Sequence, residues 1–169
     1  RYILYERKLL YRARDESIFL SKEKLITQRI GGGNKVLVVS YDDNQYYTFN
    51  STNIILSKNK DFHLKYIVAL LNSKLINWYY VNKFTNKSTL TVNVSKTFLE
   101  QIPIKSASKS EQNRIVSIVD KIIDLKIILA KIGDKKTTET KKIEDEISRI
   151  DKDINTIVYE LYGITKEEK

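Results

Sequence analysis

The residues able to do chemistry are few, and their spacing argues against most catalytic schemes. His63 is the only histidine and cysteine is absent, which excludes multi-histidine centres, thiolate metal sites and disulfides within these residues. His63 is read as a surface or packing residue at the start of a helix. Asp42, Asp43 and Asp61 lack the strand-borne Asp…Glu-x-Lys spacing that would hold a nuclease magnesium. There is no Asn-Pro-Pro-Tyr or Asp-Pro-Pro-Tyr for methylating an amino group, and no strand followed by Gly-x-Gly-x-x-Gly for a nucleotide cofactor. Gly31, Gly32 and Gly33 are not followed by Gly-Lys-Ser/Thr, and a strand-like run comes next where a phosphate loop would open a helix. The expectation is a chain that catalyses nothing by itself and holds no metal or cofactor.

A different chemistry is available in the amides and cations. Gln28, Arg29, Asn34 and Lys35 surround the glycine run, and Lys83, Asn86, Lys87, Ser88 and Thr89 follow the most apolar stretch of the chain. Arg and Lys match the acceptor pair of guanine, and Asn and Gln match the donor–acceptor pair of adenine. Others of the set would bond phosphates and fix register only. Arg29 is the first candidate for a base reader, with solvent or Glu23 as its alternative partner. The glycine run is either a plain hairpin loop or a bare tip able to approach a DNA groove.

Charge agrees with that chemistry. The formal net charge is +9, and it is unevenly held: residues 1–104 carry 16 Lys/Arg against 8 Asp/Glu, whereas residues 105–169 carry 14 against 13. A positive field confined to one region suits a polyanion, with nucleic acid first among them. No apolar run approaches the ~20 residues of a membrane span, and the N-terminus does not read as a signal peptide, so a cytoplasmic location is expected. Methionine is absent and Arg1 opens in mid-pattern, which is expected of a piece of a longer chain.

These side chains must be held by structure. The organising stretch is Asp61 to Phe84, where Leu64, Ile67, Val68, Leu71, Leu75, Trp78 and Tyr79 recur at helical spacing and Tyr66, Leu70, Ile76, Tyr80 and Val81 fill much of the remaining circumference. The spacing predicts one buried helix, N-capped by Asp61, with Asn72, Ser73 and Lys74 as its polar break. Before it, Leu25 to Ile30, Lys35 to Tyr41, Tyr46 to Asn50 and Asn53 to Ser57 read as strands of a small sheet, with a hairpin at the glycine run. The stretch Lys8 to Phe19 is open between strand and irregular structure. After the helix, Asn86 to Ser95 reads as a loop and one strand with Thr89, Thr91, Asn93 and Ser95 on one face. A short turn near Thr97 to Glu100 follows, then an extended run around Pro103.

The last third reads as two helices. Ser108 and Glu111 form a capping box, and Ile115, Ile118, Ile122, Leu125, Leu129 and Ile132 make a heptad seam that Gly133 and Asp134 stop. Ile143, Ile147, Ile150, Ile154, Ile157 and Leu161 make a second, closed by Gly163. A short Gly-containing turn between them predicts an antiparallel pair, with Asp145, Arg149 and Asp153 on a near-neutral outer face. The fold class is therefore α+β: a recognition lobe over residues 1–104 and a coiled-coil-like helical hairpin over 105–169. Ile127 and Ile128 lie off the first seam and keep open the alternative that the hairpin is a docking module and the basic surface incidental.

KLITQRI, YIVALLNSKLINWYYVNKF, KTFLEQIPI, SEQNRIVSIVDKIIDLK and IEDEISRIDKDINTIVYELYGITKEE together resemble successive blocks of the TaqI-like C-terminal specificity domain, over nearly the whole chain. This is the target recognition domain of type II restriction–modification enzymes and adenine-N6 DNA methyltransferases, and it is similar to type I specificity-subunit modules. The resemblance implies double-stranded DNA as partner and a parent chain with an N-terminal methyltransferase domain. That domain would bind S-adenosylmethionine, with magnesium if a nuclease is present. It implies no fixed set of base-reading residues.

Overall fold

The computed structural model describes residues 4–33, 35–85, 91–165 and 167–168. A three-stranded antiparallel sheet has β1 (Lys24–Gln28) at its centre, flanked by β3 (Val39–Asp42) and β4 (Thr52–Ile55), with Leu25 opposite Tyr41 on one side and Ile55 on the other. Beyond Arg29 the chain changes partner, and β2 (Ile30–Gly31) pairs with β5 (Val92–Asn93). Arg29 joins the two ladders through its backbone: its N–H donates to Ser51 O at 2.9 Å and its carbonyl accepts from Val94 N at 2.8 Å. Ahead of the sheet lie a 3-10 turn (Arg7–Leu9) and α1 (Glu16–Phe19). That settles Lys8 to Phe19 as mainly irregular, with two short helical turns.

Two expected strands differ. Residues 36–38 form no ladder although Val36 and Leu37 are buried, and Tyr46 to Asn50 is not a strand. In the second case the cause is Asp42, whose carboxylate accepts from Asn44 N at 2.8 Å and Tyr46 N at 3.0 Å and so turns the chain there. Asp42 also meets Lys24 Nζ at 2.5 Å with both side chains buried, and Lys24 donates its second bond to Phe19 O at 2.9 Å. The pair joins β1, β3 and the end of α1. The glycine run is shaped by backbone packing: a Cβ on Gly31 would stand 2.1 Å from Val36 O, and Gly33 has φ +74°.

The expected single helix is two: α2 (Leu64–Asn72) and α3 (Lys74–Phe84), separated by Ser73 in extended backbone. The polar break is thus a true interruption. Ser73 Oγ accepts from Ile76 N and caps α3, while Asn155 Oδ1 from the last helix accepts from Lys74 N at 2.7 Å. The two amides bracketing the break hold the strandless segment: Asn77 bonds both N–H and C=O of Leu37, and Asn72 bonds both of Val39. Asp61 is not the cap of α2; His63 holds that position without a side-chain cap bond, because Gln112 takes over the junction, accepting from His63 N and donating to Asp61 O. Burial is also less even than the periodicity predicts. Tyr66, Leu70, Ile76 and Tyr80 are buried, but Trp78 is 64% exposed and Tyr79 half-buried.

After α4 (Lys96–Leu99), the extended run around Pro103 is held by Tyr66, whose hydroxyl donates to Lys105 O at 2.6 Å, and by Tyr162, whose hydroxyl donates to Pro103 O at 2.7 Å. The helical hairpin comprises α5 (Lys109–Ile132) and α6 (Thr138–Tyr162), which pack on each other. The Ser108/Glu111 capping box is present, and a second box pairs Thr137 with Thr140. Gly133 and Gly163, both with φ +74°, end the helices. Burial is deepest where the hairpin meets α2 and α3, at Ile115, Val119, Ile150, Ile154 and Val158, whereas Ile118, Ile122, Leu125, Leu129, Ile132, Ile143 and Ile147 are half-buried. Val119 replaces Ile118 as the buried residue because α5 serves two neighbours, α2 and α6. On the outer face Arg149 pairs with Glu146 at 3.1 Å, not with Asp145 or Asp153. The architecture is α+β with a helical hairpin, and among the described residues no helix is long and apolar enough to cross a membrane.

Three stability outcomes follow. Urea unfolding of Ile115→Ala should show a loss of about 2–5 kcal/mol, and Ile122→Ala, in the half-buried part of the seam, about half as much or less. Asp42→Ala should cost about 3–5 kcal/mol by stranding the buried Lys24 ammonium. Burial pushes the Tyr66 and Tyr80 hydroxyls up from 10.0 to about 12. A raised folded value means that the stability they contribute is complete below pH 10 and lost as pH climbs towards 12. Thermal unfolding at pH 9 and pH 11.5 should therefore show a fall in stability that is smaller in Tyr66→Phe.

Candidate nucleic-acid interface

The partner switch at Arg29 creates a groove of about 810 Å³, lined by Gln28, Arg29, Ile30, Asn50, Ser51, Thr52, Thr91 and Asn93. Three stretches build it: the end of β1, the turn leading into β4, and β5. Each rim is fixed from behind by groups that do not face the groove. The turn is held by Arg14, whose guanidinium donates to Thr48 Oγ1 at 3.2 Å, to Phe49 O at 3.3 Å and to Thr52 O. The β5 rim is held by Tyr80, donating to Asn93 O at 3.0 Å, and by Asn53, donating to Val94 O at 2.7 Å. Arg29 is exposed, and its guanidinium reaches Asn50 O at 3.4 Å rather than Glu23.

The electrostatics there are positive. Arg14 has its pKa lowered, first by burial and next by the neighbouring Arg29 charge. The Arg29 charge thus lies close enough to disfavour ionisation of Arg14, and no acidic side chain is among the residues that line the groove, so an anion would be favoured there. The groove can therefore offer a polyanion the Arg29 guanidinium, with the Arg14 charge behind its rim, and a row of carboxamides and hydroxyls at one place, which is the chemistry of groove-edge and phosphate contacts.

The expected site residues divide. Gln28 and Arg29 stand together in this groove. Lys35 does not join them: it lines a second groove of about 430 Å³ with Asn72, Trp78, Asn82 and Asp151, and burial there lowers its pKa, with Asp151 opposing and Lys126 adding to the shift. Lys83 is exposed in the last turn of α3. Asn34, Asn86, Lys87, Ser88 and Thr89 lie outside the described residues. Asn50, Ser51 and Thr52 were not expected at the site. The only sign of them in the sequence is a polar run, Asn50-Ser-Thr-Asn, placed between Phe49 and Ile54. Thr91 and Asn93 were expected to share a strand face, and both line the groove. Arg14 carries no local signal at all.

The acidic residues do not assemble into a metal site among the described residues. Asp42 is consumed by Lys24, and Asp43 accepts from the Asn44 side chain.

The TaqI-like C-terminal specificity domain matches residues 1–104, which contain both ladders, the groove, α2, α3 and the run to Ile104. The SEQNRI and terminal IEDEISRI blocks lie beyond that span. No curated protein matches the chain. With its groove built inside the matched residues, the chain belongs to the family of TaqI-like C-terminal specificity domains.

Proposed function

We propose that this chain recognises a double-stranded DNA sequence as the target recognition module of a larger restriction–modification enzyme or adenine-N6 DNA methyltransferase, and that it performs no catalysis of its own. S-adenosylmethionine, and magnesium if the parent also cleaves, would belong to other domains of that parent, a methyltransferase domain on the N-terminal side among them. The observation that carries the reading is the convergence of Arg29, Gln28, Asn50 and Asn93 on one groove within the basic part of a specificity domain. Arg29 can supply the bidentate pair to a guanine edge, while exposed lysines of the basic part, Lys83 among them, would neutralise phosphates without regard to sequence.

A second reading, a helical docking module, is favoured by Ile127 and Ile128, which are 47% and 43% exposed on α5. One experiment separates the two. In the full-length protein, fluorescence titration of Arg29→Ala should show a loss of about 1–3 kcal/mol against the cognate duplex and far less against a scrambled one. Lys83→Ala should weaken both alike and lower the salt slope by about one ion. If neither substitution alters affinity for either duplex, the basic surface is incidental and the docking reading replaces this one.

A further inference from the structure

Most carboxamides among the described residues are committed to the backbone. Asn72, Asn77, Gln112 and Asn155 each bond main-chain groups at helix junctions, and Asn53 and Gln101 do the same elsewhere. The carboxamides of Gln28, Asn50 and Asn93 make no hydrogen bond with any described residue, and all three line the groove at Arg29. Asn113, exposed on α5, is the other described carboxamide left so. Three such amides left free around one groove, in a chain that uses most of the others to satisfy its own backbone, are available together to an outside partner.

The chemistry of that partner is narrow. A carboxamide presents one donor and one acceptor side by side, which matches N7 and N6–H of adenine in the major groove; a guanine edge offers two acceptors there and a cytosine edge a donor. Thr91, two residues before Asn93 on the same rim, adds a methyl group able to meet the C5-methyl of a paired thymine. Resting on the DNA-recognition reading above, we infer that this groove is specific for adenine: Gln28, Asn50 and Asn93 are specificity-determining residues for A·T pairs that flank a guanine read by Arg29. The target is then an A·T-rich site with a guanine within it, and its adenines are read at their Hoogsteen edges.

The test uses variants that keep side-chain shape. Gln28→Glu, Asn50→Asp and Asn93→Asp remove the donor and leave an acceptor, which suits the cytosine amino group. The full-length protein and each variant are allowed to select from randomised duplexes, and the recovered duplexes are sequenced. The unsubstituted protein should select a motif containing adenines, and each variant should lose about 5- to 150-fold of its adenine preference at one position, with gain of cytosine there. Replacing the selected adenines one at a time by 7-deazaadenine, which lacks the N7 acceptor, should weaken binding by the unsubstituted protein at those same positions. This measurement needs no variant to fold. If the protein selects a motif but the variants keep it unchanged, or if 7-deazaadenine is without effect, the adenine assignment is overturned and DNA recognition stands. If no motif is selected at all, both readings fail.

Discussion

The fold depends on a break in its own central helix. A buried backbone N–H or C=O without a partner costs about 1–3 kcal/mol, and residues 36–39 bring several such groups into the core with only Val39 entering a strand. Continuing the helix through Ser73 would leave them unpaired. Ser73 in extended backbone instead lets Asn72 and Asn77, one on each side of the interruption, close double hydrogen bonds onto Val39 and Leu37. The break exposes a new helix N-terminus at Lys74, and Asn155 of α6 satisfies it. Besides the packing of α5 on α2, the lobe and the hairpin are therefore joined where Asn155 repairs this discontinuity and where Gln112 repairs a second at the entry to α2.

This arrangement separates two uses of one functional group. Amides facing the interior are tied to main chain and define geometry, so their replacement acts on stability. Amides at the partner switch of Arg29 face outward, where the Arg29 charge is near enough to help lower the Arg14 pKa. The rims that carry them are fixed from the rear by Arg14, Tyr80 and Asn53, so the groove is shaped before any partner arrives, and less ordering remains to be done on binding.

Legibility from sequence followed the range of the interaction. The hairpin was readable because Ser108 and Glu111, Gly133 and Gly163, and the isoleucine spacing are all local signals. The α+β class was readable too, and so was the family, whose match covers residues 1–104 and not the blocks quoted beyond them. Tertiary partners were not: the amides of Asn72 and Asn77 act on residues more than thirty positions earlier in the chain, so the strand expected over Lys35 to Tyr41 and the helix expected over Asp61 to Phe84 each looked continuous. Trp78 looked like core because periodicity records a face without saying whether anything covers it. Of the groove, only Gln28 and Arg29 were identified as contacts, since its other walls come from stretches brought together by the switch between ladders.

That switch is made by main-chain atoms alone. The N–H of residue 29 donates to Ser51 and its carbonyl accepts from Val94, so any side chain except proline can occupy the position without disturbing either ladder. The same holds for the other outward amides, which no internal bond detains. A lineage carrying this scaffold can therefore wander among targets by exchanging a handful of surface residues while its folding problem stays solved. Diversity of address and constancy of architecture are inherited separately here.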